Sequence, residues 1–262
     1  MTPTIDYVYC VGTAANGRAM PDGIDGARVR QVGSDGADGL RALVSSLDAR
    51  EYAAEVVSER TGDSAWLAPR ARAHDALVTW AADAGPTLPF PMWVLFADER
   101  AIVQMLHDRA DEFRRALAHV AGAREYGVRV AGDRASVEAV AERTSVAHAE
   151  LVSRAADSTP GQAYLLQRKM AELRKAASRD AAARLAEEAH RALSSHSRAS
   201  VAPAGALARE QGVILDGAYL VDDGAYDAFR ATLTEIMREY QPSGIRFDFT
   251  GPWPPYHFVR DA

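Results

Sequence analysis

The sequence predicts a two-domain α+β protein. Segments with the alternating pattern of strands and segments with helical spacing follow one another through the first half of the chain. The second half begins with two long helical stretches and ends with short apolar strands around one more helix. The chain has 262 residues, of which 48% are hydrophobic and 25% charged, so it can bury a sizeable core. Gly132-Asp133 is a plausible boundary, which gives domains 1–132 and 133–262.

The first half opens with a predicted central strand. Residues 5–11 are rich in β-branched and aromatic side chains and are apolar on both faces except at Asp6. A loop with Asn-Gly and Asp-Gly turn signals covers residues 12–26. Two further strands are predicted at residues 27–32 and 40–47, so the first three strands precede any predicted helix.

Glycines between the second and third strands are spaced as GxxGxxG over residues 33–39. A dinucleotide-binding loop needs GxGxxG between a strand and a helix. Here the spacing differs and the following segment has the pattern of a strand. We therefore interpret residues 33–39 as a flexible turn.

A helix is predicted over residues 64–84. His74 lies beside apolar neighbours in this helix, and we expect a core or hydrogen-bonded side chain rather than a ligand. Residues 87–97 form the most apolar segment, and their prolines favour a sheet edge or a bulge. Trp93–Phe96 is predicted to be a buried strand.

Asp98 is expected to cap a helix whose apolar spacing continues to Val120. Strand alternation returns at residues 126–130. Strands and helices thus alternate at the end of the first half, which is typical of a ferredoxin-like α+β sandwich.

The second half begins with a predicted helical hairpin, residues 136–194. Helices over residues 136–155 and 162–194 carry apolar seams, and the alanines of the longer one allow close, coiled-coil-like antiparallel pairing. Basic side chains crowd residues 168–179. We interpret them as a solvated face, with an acidic partner as the alternative.

A small α+β unit follows the hairpin. Short strands are predicted at residues 213–215 and 218–221, an amphipathic helix at 226–237 and a closing strand at 245–250. In the closing strand, apolar side chains alternate with polar ones, which predicts one buried and one exposed face.

The chain ends in a stiff aromatic segment that we call the strap. Its candidate structural or partner-binding residues are Gly251, Pro252, Trp253, Pro254, Pro255, Tyr256 and Phe258. The prolines fix φ and lack an N–H, so this segment is held extended. It can be a clamp packed on its own domain, a surface for a partner, or a PxxP ligand for an SH3-type groove. We favour the clamp, with Trp253 and Tyr256 packed back on the protein.

Composition and missing motifs argue against several functions. A net charge of −6 argues against nucleic-acid binding, and one cysteine, Cys10, suits a reducing cytosol. No signal peptide or membrane span is apparent, so we expect a soluble cytoplasmic protein. No nucleophile elbow, phosphate loop or metal-ligand spacing occurs, so we expect no catalysis, no metal and no cofactor.

The sequence resembles the gas vesicle protein F/L family along nearly the whole chain. The most specific match is Gly251-Pro-Trp-Pro-Pro-Tyr-x-Phe258, and weaker matches run in order along the chain. The weaker matches are Tyr7-Val-Tyr9, Ala73-His-Asp75, Leu88-Pro89, Gly122-Ala-Arg-Glu-Tyr-Gly-Val128, Gly161-Gln-Ala-Tyr-Leu165 and Ala218-Tyr-Leu-Val221.

One segment departs from the family pattern. Where the family usually has Leu-Pro-Leu-Arg-Phe-Gly, this chain has Leu-Pro-Phe-Pro-Met-Trp at residues 88–93. Phe90, Met92 and Trp93 are therefore a candidate apolar patch for a partner.

The resemblance implies a fold and a role. It implies two α+β domains, the first a modified ferredoxin-like one, and an accessory role in gas vesicle assembly. The implied partners are the hydrophobic shell protein, gas vesicle protein A, and other accessory proteins. The resemblance supplies no catalytic residues. The alternative is an enzyme or small-ligand-binding protein on a ferredoxin-like scaffold, which would have a deep pocket with converging polar side chains.

Overall fold

The computed structural model describes residues 3–13, 18–33, 39–144, 160–202 and 212–259. The chain divides into two compact units: residues 1–125 with 252–262, and residues 126–251. The division therefore falls seven residues before the predicted domain boundary and groups the strap with the first unit. The predicted α+β class is confirmed, with two antiparallel-type sheets and helices beside them.

The first unit is built on a five-stranded sheet with the strand order β2-β3-β1-β4, in which β5 also pairs with β1. Its strands are β1 (Thr4–Gly12), β2 (Val29–Gly33), β3 (Arg41–Asp48), β4 (Thr87–Pro89) and β5 (Leu95–Phe96). Its helices are α1 (Ala54–Arg60), α2 (Ser64–Ala82), α3 (Glu99–Asp108) and α4 (Ala110–Val120).

Strand β1 is central, as its apolar character on both faces predicts. It pairs antiparallel with β3 on one side and with β4 and β5 on the other, and Tyr7 to Val11 are buried. The exception, Asp6, is buried too, but its carboxylate accepts hydrogen bonds from Arg30 at 2.8 Å and from the Ser46 hydroxyl at 2.7 Å. The charge is thus paired rather than isolated in the sheet.

Strands β4 and β5 correct the prediction for the most apolar segment. The proline-containing half does form a short edge strand, β4. The predicted buried strand Trp93–Phe96 is wrong, because strand geometry is limited to Leu95–Phe96 and both residues are only half-buried. Trp93 has φ of 71°, a left-handed conformation that ends any strand at this residue.

The helix predicted after Asp98 is two helices. Asp98 does cap α3, accepting from the backbone N–H of Ala101 at 2.9 Å. Arg109, with φ of −107° and ψ of 17°, separates α3 from α4. The apolar stripe hides this break, because Leu106 and Phe113 are seven residues apart and both are buried as in one continuous helix.

The second unit is built on a four-stranded sheet with the order β7-β8-β6-β9. Its strands are β6 (Ala123–Ala131), β7 (Ala199–Val201), β8 (Val213–Asp222) and β9 (Arg246–Trp253), of which β6 and β9 run across the limits of the unit. Its helices are α5 (Arg134–Thr144), α6 (Pro160–Ser194) and α7 (Tyr226–Tyr240).

Two strand assignments differ from the sequence predictions here. The sequence places β6 with the first domain, but β6 lies between β8 and β9, and Val128 and Val130 are buried in the second core. Alternation identifies a strand's buried face and does not identify its neighbours. The two short strands predicted at 213–215 and 218–221 are one strand, β8, because Asp216-Gly217 continues in extended conformation.

The hairpin seam is confirmed where the structure describes it. Ala181, Leu185, Ala189 and Leu193 of α6 are buried, and Val140 of α5 lies in the same core. Residues 145–155 of the predicted first helix lie outside the described residues. Of the basic run, Lys175 and Arg179 are exposed, and the side chains of residues 168–174 lie outside the described part, as do residues 34–38 of the glycine-rich turn.

Candidate partner-binding groove and C-terminal strap

The strap divides into an exposed first half and a buried second half. The exposed residues are Gly251, Pro252 and Trp253. The buried or half-buried residues are Pro254, Pro255, Tyr256 and Phe258. The expectation that Trp253 packs back on the protein is wrong, since Trp253 is 44% exposed. Gly251 has φ of 113°, so the in-and-out alternation of β9 is interrupted just before Trp253.

Tyr256 packs on the first unit, as the clamp interpretation expects of it. Its ring packs against the first core, and its hydroxyl donates to Asp75 Oδ1 at 3.2 Å. Burial, followed by the nearby Asp75 carboxylate, raises the pKa of Tyr256. The phenol therefore stays protonated and keeps this hydrogen bond at neutral pH.

Glu125 fixes the end of the strap. Its side chain is 5% exposed, and its Oε2 accepts from the backbone N–H of His257 at 2.9 Å. Its Oε1 lies 2.6 Å from Nδ1 of the same residue. A buried carboxylate that accepts two hydrogen bonds from one residue holds that residue in one orientation.

An apolar groove lies beside the strap, within the first unit. It encloses about 260 Å³ between β4 with the segment after it, the helices α3 and α4, and the strap. The lining residues are Leu88, Pro89, Phe90, Pro91, Val94, Phe96, Met105, Arg109, Glu112, Phe113, Ala116, Tyr256 and Val259. We call this the apolar groove. It brings together two predicted site residues from distant parts of the sequence, Phe90 and Tyr256.

The charged side chains of the groove satisfy each other. Arg109 donates through Nε to Glu112 at 2.7 Å and also pairs with the second carboxylate oxygen. Its guanidinium lies 4.8 Å from the centroid of the Phe113 ring, and the Phe90 and Phe113 rings lie 6.1 Å apart. The hydrogen bonds from Arg109 lower the pKa of Glu112, which stays ionised. The groove thus has aromatic walls and an internally neutralised rim.

Trp93 lies elsewhere and does not form one patch with Phe90. Its ring stacks on Trp66 with centroids 5.1 Å apart and lies 6.0 Å from Tyr7 and 6.1 Å from Tyr52. Met92 is half-buried and does not line the groove. The candidate patch Phe90, Met92 and Trp93 is therefore divided by the left-handed turn at Trp93, which lies between β4 and β5.

Several groove residues escape sequence reasoning. Phe113 is on the predicted helical stripe, but Met105, Arg109 and Ala116 stand beside that stripe and have no motif around them. Spacing of i, i+4 links Met105 to Arg109 on one helical side, which is the only available signal. The structure places Met105 of α3 and Ala116 of α4 in the same groove as Tyr256 of the strap.

Two buried titratable groups of the first unit, His74 and Cys10, have shifted pKa values. His74 is buried, its Nδ1 lies 2.7 Å from the Tyr7 hydroxyl, and burial lowers its pKa to about 4. Burial raises the pKa of the Cys10 thiol to about 12. Among the described residues, no three His, Cys, Asp or Glu side chains are grouped for a metal ion. In the same part of the chain no helix is both long and apolar enough to cross a membrane.

The fold and the groove define a two-sheet α+β protein with an apolar groove in its first unit. The chain belongs to the family described as Gas vesicle synthesis protein GvpL/GvpF, whose profile matches residues 6–260. The resemblance seen in the strap and the weaker motifs is confirmed.

Relatives match along the whole chain. Gas vesicle protein L of Streptomyces sp. is 29% identical over 270 residues, which covers 100% of this chain and 95% of that protein. Gas vesicle protein L1 of Halobacterium salinarum is 27% identical and covers 97% of this chain and 90% of that protein. The crystal structure of gas vesicle protein GvpF from Anabaena sp. PCC7120 has a TM-score of 0.68 at 16% identity, over 99% of this chain and 97% of that chain. This structural likeness shows the shared fold.

Proposed function

We propose that this protein is a non-catalytic accessory protein of gas vesicle formation. It binds the hydrophobic shell protein, gas vesicle protein A, through the apolar groove, and it contacts other accessory proteins during assembly. Its membership of the GvpL/GvpF family supports a role in gas vesicle formation. The groove supports the proposal that the protein acts by binding an apolar segment.

The chemistry of the groove is the observation that carries the proposal. Aromatic and aliphatic side chains dominate the lining, and the two charged residues, Arg109 and Glu112, pair with each other. An apolar segment that enters the groove releases water from both surfaces, which contributes about 25 cal/mol per Å² of buried apolar area. A self-associating shell subunit offers such segments before it is assembled.

A small-ligand or enzymatic function needs converging polar groups in the pocket. In the groove, Arg109 and Glu112 neutralise each other, and the Tyr256 hydroxyl is engaged with Asp75. The polar groups of the groove are therefore already engaged, and the apolar lining determines what binds. An apolar lining favours a protein segment over a polar metabolite.

Replacing Phe90 tests the proposal. Phe90→Glu puts an unpaired carboxylate beside Phe113, and we expect the shell protein to be lost from co-purification with the tagged variant. Val201→Glu is the matched control, because Val201 is 38% exposed and belongs to the second unit. Both variants should melt within a few degrees of the wild type. Equal capture of the shell protein by wild type and Phe90→Glu contradicts groove binding.

A genetic experiment tests the broader function. Deleting the gene from its gas vesicle cluster should reduce or abolish buoyant vesicles, and the wild-type gene should restore them. Restoration by Val201→Glu but not by Phe90→Glu would link the groove to assembly. Normal vesicles after deletion would contradict the accessory role altogether.

A further inference from the structure

Strand β9 is an edge strand of the second sheet. Among the strands of the described residues it pairs with β6 alone, so the opposite side of β9 faces no other described strand. An edge strand presents backbone N–H and C=O groups that can pair with a further strand. The strand has eight residues, Arg246–Trp253, which is long for an edge without protection.

Protection of this edge is confined to one end of the strand. Pro252 removes a backbone donor, and Gly251, with φ of 113°, turns the chain out of regular strand geometry. Residues 246–250 carry neither device. The part of the edge without these two features is therefore the segment Arg246-Phe-Asp-Phe-Thr250.

The two faces of this segment differ in chemistry. Phe247 and Phe249 pack against the second core, as the alternation predicts. Arg246, Asp248 and Thr250 are exposed on the other face. Neither Arg246 nor Asp248 forms an ion pair within the part of the chain that the structure describes, although Asp133 lies near enough to Arg246 for their charges to attract. One cation and one anion, two residues apart, thus lie on the exposed face of this edge.

This charge pattern is self-complementary in one antiparallel register. Two copies of β9 related by a two-fold axis perpendicular to the sheet place residues of the same face opposite each other. With the axis at Phe247, Arg246 stands opposite Asp248 of the partner subunit, and the same pair repeats by symmetry. Axes at residue 246 or 248 place like charges opposite each other, which destabilises a strand pair.

We propose that two copies of this chain associate through β9, in the antiparallel register centred on Phe247, to form one continuous sheet. Backbone hydrogen bonds between the two edges supply the attraction, and the two Arg246–Asp248 pairs select the register. The interface is isologous and closed, so it produces a dimer rather than a filament. Because a single strand pair buries little surface, the dimer is weak. The fraction of dimer therefore depends visibly on protein concentration.

Charge exchange tests the register. We expect the purified full-length chain to show a concentration-dependent monomer–dimer equilibrium in sedimentation velocity. Arg246→Asp and Asp248→Arg each place like charges opposite each other, and each should weaken dimerisation by about tenfold or more at low salt. The double variant with both substitutions restores opposite charges and should dimerise like the wild type. A wild type that stays monomeric at all concentrations overturns the proposal, and so does a dimer that none of the single substitutions weakens.

A cysteine at the two-fold axis gives an independent readout. The one native cysteine, Cys10, is 1% exposed, so a thiol introduced at a half-buried position of the edge strand would dominate disulfide formation. Phe247→Cys places two thiols directly opposite each other, where Cα atoms about 4.5–5.5 Å apart suit a disulfide. Thr250→Cys is the control, because its two copies are far apart in this register. Mild oxidation should cross-link Phe247→Cys and leave Thr250→Cys monomeric. Equal cross-linking of the two variants contradicts the register.

Discussion

His257 binds both oxygens of the buried Glu125 carboxylate, one through its backbone N–H at 2.9 Å and one through Nδ1 at 2.6 Å. The two residues are 132 positions apart in the sequence. The family signature at the C-terminus and the weaker motif around Glu125 are thus parts of one contact. This contact holds the strap where Tyr256 and Val259 can line the apolar groove.

The Glu125 contact makes a prediction about stability. Glu125→Ala leaves the His257 N–H without its acceptor, and we expect the free energy of unfolding to fall by about 1–3 kcal/mol. His257→Ala keeps the backbone N–H but leaves Glu125 Oε1 without its Nδ1 donor, so we expect a smaller loss of about 1 kcal/mol. Urea denaturation of the two variants measures the difference. Equal losses would show that the side-chain contact, rather than the backbone contact, anchors the strap.

Trp253 and Phe258 should behave differently, although both belong to the strap. Trp253 is 44% exposed and Phe258 is 8% exposed. Trp253→Ala should change stability by no more than about 0.5 kcal/mol, as at ordinary surface positions. Phe258→Ala should cost roughly 3–5 kcal/mol, the usual range for a buried aromatic ring. Guanidinium denaturation monitors both variants, and a large loss for Trp253→Ala would mean that the indole is packed in solution.

Acid should destabilise the first unit through His74. Burial lowers the folded-state pKa of His74 from 6.5 to about 4, so the unfolded chain binds the proton more readily. The contribution is fully present above pH 6.5 and is lost as the pH falls toward 4. Between pH 7 and pH 5 the loss is on the order of 2 kcal/mol.

The His74 effect can be separated from that of carboxylates by a variant. His74→Gln cannot titrate, so its stability should change less between pH 7 and pH 5 than that of the wild type. The pH difference is the readout, because the substitution also removes the packing and the hydrogen bond with Tyr7. The same pH dependence in both proteins would assign the acid effect to other groups.

The left-handed backbone at Trp93 predicts that a glycine variant is more stable than an alanine variant at this position. Its backbone has φ of 71°, which costs an L-residue roughly 1–2 kcal/mol and costs glycine almost nothing. Both Trp93→Ala and Trp93→Gly lose the stacking on Trp66, so both should be less stable than the wild type. Trp93→Gly should nevertheless be more stable than Trp93→Ala by about 1 kcal/mol. Thermal melting decides the order, and a more stable alanine variant would contradict a left-handed conformation at this position.

The positive φ of Trp93 agrees with the glycine that the family pattern has at this position. The resemblance places glycine where this chain has Trp93, and the left-handed backbone is the conformation that glycine favours. Here the indole occupies the aromatic cluster of the first unit, which offsets the strain. The altered segment therefore combines a backbone conformation that glycine favours with an aromatic side chain.

The sequence by itself determined the local features of this protein. Both-sided apolarity identified β1 as a central strand, Asp98 predicted a helix cap, and the seam on α6 predicted its buried side. The α+β class and the family followed from the order of such segments and from the strap motif. Each of these signals acts over a few neighbouring residues, where side-chain period and backbone preference are sufficient.

Only the tertiary structure decided which elements cover each other. It assigned β6 to the second sheet, broke the helix at Arg109, separated Phe90 from Trp93 and left Trp253 exposed. The groove follows from these outcomes, because its walls come from residues 88–96, 105–116 and 256–259. A hydrophobic period indicates that a face is buried but carries no information about its partner. The partner is set by non-local packing, which depends on the shapes of all the elements together.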